Sequence, residues 1–439
     1  MTMRGGVLGV HVMTPHGQSV RVGTLTRDAT GATAFVVDEA YLRMPGQERP
    51  ILSLTWFNPE SDNDTRMRLA ARADKIALHG LLPPWFSNLL PEGALRLLVE
   101  TEMGQGDHDQ FDMLARLGGD LPGAVIVVPE AGLEADRTVR WEKRHGFQVP
   151  VPEGRVKFSL AGVQLKFSAE MQGERLSVPA RSGAGCTILK VASERYRGLP
   201  EAEYTAMRLC ASVGLDVAPC RLIPIALIDG IPPNLLAHGE HALAVERFDR
   251  AAGGGRIHSE DLAQVLGASE MQKYIRGNGE TVLNCIARFS ADWRADAMEG
   301  MRRIIADVLI GNGDNHLKNW SFRFPDALSP RISPAYDIVP TWLYDGDDTL
   351  GLPFAGTRRA PDIGFGRFRR VATFLRLDPV ATERDLRQFT ERCLDGWPTL
   401  VHDLPLPRVD ADRLMARMHD TRLAAEVRGR ITDSSPPSR

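Results

Sequence analysis

The segment GNGDNHLKNWSF, residues 311–322, decides the reading of this chain. It carries Asp314 and, five positions later, Asn319. An aspartate placed beside an acceptor hydroxyl orients it and takes its proton. An asparagine oxygen a few residues on ligates Mg²⁺ without adding negative charge beside phosphates. Lys318, next to Asn319, suits the charge that develops on a transferring phosphoryl group. The plain alternative is a loop rich in turn-forming residues for local reasons.

What surrounds the segment separates the two readings. AYDIVP follows, with Asp337 between Tyr336 and Ile338. A carboxylate in such an apolar run needs a partner, because burying it unpaired is costly. A metal ion supplies one, and a strand-end Asp capping the turn before Pro340 is the competing explanation. Upstream, CTILKVAS sets Lys190 on an apolar strand, where a lysine either snorkels at an edge or is paired. A helix with Glu201 and Glu203 comes next, and either carboxylate is a candidate partner for Lys190. Protein kinases show this order of lysine, helix carboxylate, Asp-x-x-x-x-Asn and second Asp.

Two further segments fit that order. SLAGVQLKFS, residues 159–168, lies between strand-like stretches. Ala161 and Gly162 are small enough to let backbone amides approach phosphate oxygens, and Lys166 follows four residues later. The segment is not a Walker A loop, and a plain hairpin is its bland reading. VERFDR, residues 245–250, ends an apolar strand in charges. The Glu246 carbonyl and Phe248 amide suit adenine there, while an exposed strand end with a salt bridge is the alternative.

Composition sets the bounds. The 439 residues exceed one typical domain. A hydrophobic share of 43% supports a sizeable core, and a net charge of -3 argues against a dedicated nucleic-acid binder. The 5 cysteines are scattered with no CxxC pair, which points away from disulfides or structural zinc and toward a reducing cytoplasm. MTMRGGVLGVHVMTPHG does not read as a signal peptide. No apolar stretch approaches the ~20 residues that span a membrane.

The first part of the chain reads as short strands (VLGVHVMT, VRVGTLTR, ATAFVVDEAYL), then a helix after Pro91-Glu92-Gly93, a second around FDMLARLG, and the strand GAVIVVPE. A second unit opens with strands, and from about Ser259 the pattern turns helical, interrupted by a strand pair at WSFRF and AYDIVP. The expected fold class is α/β: a two-lobed protein-kinase-like fold with an N-terminal mixed α/β subdomain and a mainly helical C-terminal lobe. The expected divisions are 1–130, a linker at 131–155, an ATP-binding strand-rich lobe at 156–250, a catalytic lobe at 251–432 and a disordered tail at 433–439.

Taken together, the motifs resemble the HipA family of serine/threonine kinase toxins. PWFSNLLPEGALR and FDMLARLGGDLPGAVIVVP look like its N-terminal subdomain, and FSLAGVQLKFS like its phosphate loop. ILKVAS, GLPEAEYTAMRLC, VERFDR, RIHSEDLAQVLG, GNGDNHLKN and SPAYDIVPT follow in the family's order. The resemblance implies that Asp314 is the catalytic aspartate, aided by Lys318, and that Asn319 and Asp337 hold Mg²⁺. It implies that Lys190 binds ATP phosphates, that Glu246 and Phe248 contact adenine, and that Asp249 and His316 belong to the nucleotide site with Ser159, Ala161, Gly162 and Lys166. Ser159 is the implied autophosphorylation site, whose modification expels the loop.

The implied partners are a HipB-like DNA-binding antitoxin, operator DNA reached through it, and a protein substrate in translation such as an aminoacyl-tRNA synthetase, with no membrane. Two departures stand out. Leu165 replaces an acidic residue common before the lysine, and Cys186 stands where Thr and His are usual. A small-molecule phosphotransferase and a non-catalytic antitoxin co-repressor are the other function classes. The C-terminal arginines Arg413, Arg417, Arg422, Arg428 and Arg430 read as a solvated helix face or as contacts to DNA phosphates.

Overall fold

The computed structural model describes residues 5–104, 108–130, 164–173, 175–178 and 185–429. Its first layer is an antiparallel sheet of five strands in the order Ile76–Ala77, Thr33–Val37, Ser19–Arg27, Gly6–Met13, Val125–Glu130. Alternation puts Leu8, Val10 and Val12 on one face, and they are fully buried. Phe35, Trp56, Trp85, Phe86 and Phe111 complete that core. Rings of Phe35 and Phe86 meet edge-on with centroids 4.8 Å apart. ATAFVVDEAYL does not continue as one strand. It stops at Val37, and Glu39–Arg43 is helical, with Tyr41 buried. The Pro-Glu-Gly break does precede a helix, Gly93–Met103, and FDMLARLG lies in the helix Gln110–Leu117.

The second layer is a six-stranded sheet in the order Ile228–Asp229, Arg175–Ser177, Lys166–Gln172, Thr187–Lys190, His241–Glu246, Cys220–Pro224. Its strand ALAV is buried on both faces. Ala242 and Ala244 face one core with Phe167 and Leu189, while Leu243 and Val245 face the core shared with the helix Leu199–Ser212. This explains a continuous apolar run in place of alternation.

The remainder is mainly helical: a two-lobed, kinase-like arrangement with the N-terminal subdomain packed beside it. The long helix Trp293–Ile310 runs through its core and ends at Gly311, φ +75°. A Cβ at Gly311 would lie 2.8 Å from Trp342 Cβ, so glycine is required there for conformation and for space. Three short strands cross this lobe in the order His258–Asp261, Ser321–Phe324, Arg331–Ile332.

Further expectations are corrected. AYDIVP is not a strand: its one ladder contact is a bridge from Ala335 to Val217, and Asp337 has φ +54°. SED at 259–261 is strand, and the helical run begins at Leu262. A hairpin, Thr349–Phe354 with Thr357–Arg359, interrupts the stretch read as helical. Arg417 is also no solvated arginine. It is buried, donates to the Val308 carbonyl at 2.7 Å and pairs with Asp348, capping the long helix. Arg430, the expected linker at 131–155 and the expected tail at 433–439 lie outside the described residues.

Candidate active site

The segment 311–322 forms a loop between the long helix and the strand Ser321–Phe324. Leu317–Asn319 is a 3₁₀ turn, which folds the chain back on itself. Asn319 Nδ2 therefore donates to the Asp314 carbonyl at 2.9 Å, and so the two residues five apart are clasped. Asp314 is buried, and the Tyr274 hydroxyl donates to its Oδ1. The carboxylate thus already accepts from a hydroxyl group.

Asp337 holds left-handed backbone, a conformation rare for residues other than glycine and recurrent at functional sites. Its Oδ1 contacts the Lys190 ammonium and its Oδ2 the Lys166 ammonium. Lys166 and Lys190 are direct partners across antiparallel strands, so their side chains share a face. Two opposed cations need a counter-charge, which Asp337 provides. Lys190 also contacts Glu203 Oε1. Glu201, its rival, is instead 3.2 Å from His241 Nδ1. Burial works against ionisation of Asp337, yet Lys166 and Lys190 outweigh it and hold the carboxyl well below the usual range. Burial likewise opposes the Lys190 charge, and Asp337 and Glu203 override it, raising the lysine's affinity for its proton.

The oxygens fit a hard cation. Asn319 has committed its amide nitrogen to Asp314, which leaves its oxygen end for ligation, and Asp337 offers a carboxylate. Among the described residues no cluster of three or more His, Cys, Asp or Glu side chains is arranged to hold a metal. Sites that share Mg²⁺ between one or two protein oxygens and substrate phosphates need none.

Where the two lobes join, Glu246 ends the strand His241–Glu246, pairs with Thr187 and is exposed. Phe248 follows, its ring 5.5 Å from that of Tyr336. Asp249 is buried and engaged by Arg247 at 2.8 Å, Arg250 at 3.0 Å and the Gly123 amide at 2.7 Å. It ties the inter-lobe segment to the N-terminal subdomain.

Residues 158–397 match the model of the HipA-like C-terminal domain, and residues 16–128 match the HipA N-terminal domain. The chain belongs to the HipA family. A Sinorhizobium fredii protein named "Putative kinase Y4dM" is 36% identical over 401 residues, spanning 90% of this chain and 93% of that one. A second protein of the same species, "Putative kinase Y4mE", is 31% identical over 346 residues, spanning 74% and 76%. Among solved structures, a chain of the Shewanella oneidensis MR-1 complex of HipA, HipB and operator DNA superposes with a TM-score of 0.71 at 21% identity. The match covers 96% of this chain and 99% of that one.

Within this HipA-family frame the predicted residues do not all meet. The contacts form two sets, Asp314 with Asn319 and Asp337 with Lys190 and Lys166. Lys318 has other partners: Glu92 at 3.4 Å, Asp261 at 3.2 Å and the Asn88 carbonyl at 3.0 Å. Its charge is matched there, at the seam with the N-terminal subdomain. His316 is buried edge-to-face against Tyr274, centroids 4.9 Å apart, with no hydrogen-bond partner on either ring nitrogen among the described residues. Burial, then Lys273 and Lys318, hold it neutral. Ser159, Ala161 and Gly162 lie outside the described residues.

Sequence reasoning passed over Glu92, Tyr274, Asp307 and Asn312. Asp307 carried a usable signal: it is an acid inside the apolar run IIADVLI, the same pattern that singled out Asp337.

Proposed function

We propose that this HipA-family chain is an ATP-dependent serine/threonine protein kinase and the toxin of a HipBA-like pair. The observation that carries the reading is the pairing of Lys166 and Lys190 with Asp337, and of Lys190 with Glu203, beside a loop in which Asn319 clasps Asp314. A lysine on a strand, paired with a helix glutamate and facing a second aspartate, is the phosphate-binding arrangement of protein kinases.

In this reading the Glu246 carbonyl and Phe248 amide hold adenine. Lys166 and Lys190 exchange Asp337 for ATP phosphates, while Glu203 keeps Lys190 oriented. Asn319 and Asp337 are the residues that hold Mg²⁺, which when bound neutralises charge on the phosphates. Asp314 orients the acceptor hydroxyl and takes its proton, as it now accepts from Tyr274. Asp249 and Lys318 act as anchors of the hinge and of the loop, and His316 packs beneath it.

The family supports a HipB-like antitoxin as partner, operator DNA reached through it, and a translation component such as an aminoacyl-tRNA synthetase as substrate. Ser159 is the proposed autophosphorylation site. Phosphoserine there carries about −1.5 to −2 charge and competes with ATP for Lys190.

The test is transfer of labelled γ-phosphate by the purified chain. Label on serine, with mass spectrometry placing it on Ser159 and ATP affinity falling in the modified protein, is the expected result. Absence of any transfer to protein overturns the kinase reading, and label confined to other residues overturns the Ser159 assignment.

A further inference from the structure

Asp307 sits in the last turn of the long helix, buried, one helical turn before Gly311. Its carbonyl accepts from the Gly311 amide at 2.9 Å and the Asn312 amide at 3.0 Å, which closes the helix. The carboxylate does something else. One oxygen accepts from Asn312 Nδ2 at 2.8 Å, and the other from Asn315 Nδ2. Asn312 Oδ1 in turn accepts from the Asp314 backbone amide at 3.2 Å. A chain of two hydrogen bonds thus runs from Asp307 to Asp314, and Asn315 pulls on the loop from the other side.

We propose that Asp307 is a positioning residue for Asp314, acting through Asn312 and Asn315; the proposal rests on the kinase reading above. The chemistry requires a carboxylate at 307. Two side-chain amides donate to it, one from each flank of Asp314, and a carboxylate accepts at both oxygens where an amide accepts at one. Placing an acid there has a cost. Burial pushes the Asp307 carboxyl up to about 7, and no lysine or arginine forms an ion pair with it among the described residues. A third tether comes from the Asp337 side: Thr341 Oγ1 accepts from the Gly313 amide at 2.8 Å and donates to the Gly311 carbonyl at 3.1 Å. Asp314 is therefore held by elements that do not touch the reacting atoms, as catalytic geometry demands.

The experiment compares wild type, Asp307→Asn, Asn312→Asp and the exchange of both in the full chain. It reads kcat for γ-phosphate transfer, ATP affinity, and hydrogen exchange of the peptide spanning 311–316. Asp307→Asn should lower kcat about 100-fold, the cost of a small misplacement of a catalytic group, with ATP affinity unchanged. Asn312→Asp sets two carboxylates face to face and should be worse. In the exchanged pair the side-chain amide at position 307 donates to the carboxylate at position 312. The second oxygen of that carboxylate still accepts from the Asp314 backbone amide, so kcat should rise above either single variant.

A wild-type kcat in Asp307→Asn, or no recovery in the exchanged pair, overturns the proposal and leaves the kinase reading standing. If wild type transfers nothing, the kinase reading fails. Exchange then decides the relay, since faster exchange confined to 311–316 in Asp307→Asn supports it and unchanged exchange refutes it. Should Asp307→Asn not fold, Asn312→Ala breaks the same chain from its other end and takes the same readouts.

Discussion

The ammonium of Lys318 lies 3.4 Å from Glu92 Oε1, so the residue beside Asn319 is bonded to the N-terminal subdomain. Glu92 also receives Lys273 at 2.6 Å, and Asp261 completes the group at 3.2 Å from Lys318. Burial opposes ionisation of Glu92, but Lys318 and Lys273 overcome it and hold the carboxyl below its ordinary range. The subdomain is thus part of the structure that holds the loop 311–319.

A double-mutant cycle on Glu92→Gln and Lys318→Met should return a coupling of about 1–3 kcal/mol in urea unfolding, because the pair is mostly buried. Additive effects would mean that the Glu92–Lys318 pair does not hold the seam.

The fold class was legible because its signals are local: strand periodicity in VLGVHVMT, the glycine after IIADVLI, the break at Pro91-Glu92-Gly93. The clasp of Asp314 and Asn319 is local too, one 3₁₀ turn long. The partners of Lys318 are not, since Asn88 is 230 positions away and no spacing rule spans that distance. AYDIVP misled for a different reason. Its apolar, β-branched composition fits a strand, while Asp337 has left-handed backbone and a carboxylate that meets two lysines from a distant sheet. The hairpin 349–359 was hidden because its short strands lie between helical segments.

Lys190→Met should destabilise the chain by about 3 kcal/mol, since it strands Glu203 without its buried counter-charge and leaves Asp337 with Lys166 alone. ATP affinity should fall with it. Asp337→Ala leaves Lys190 and Glu203 paired, so it should reduce ATP affinity in the presence of Mg²⁺ with a smaller loss of stability, and chelation of Mg²⁺ should mimic it in wild type. Calorimetry and thermal unfolding measure both. Unchanged Mg²⁺-dependent ATP binding in Asp337→Ala would remove Asp337 from the site.

His258 predicts a pH dependence of stability. It is buried, with Nε2 2.9 Å from the Leu52 carbonyl and the Ala124 amide donating to Nδ1 at 3.4 Å, so the neutral ring is satisfied at both nitrogens. Burial lowers its pKa from 6.5 to about 4. The unfolded chain therefore binds the extra proton between those values, and stability present above pH 6.5 is lost as pH falls toward 4. The contribution is about 3 kcal/mol. His258→Asn should flatten the slope of unfolding free energy against pH in that window, and an unaltered slope would assign the acid sensitivity to other groups.

The most direct test of the central claim is single-turnover transfer of γ-phosphate by Asp314→Asn, measured beside its ATP affinity and melting temperature. The change is isosteric and keeps the bond from Asn319 to the residue-314 carbonyl. A loss of about 100-fold or more in transfer is expected, as for removal of a general base, with ATP affinity and melting temperature near wild type. Transfer at the wild-type rate in Asp314→Asn would contradict the account.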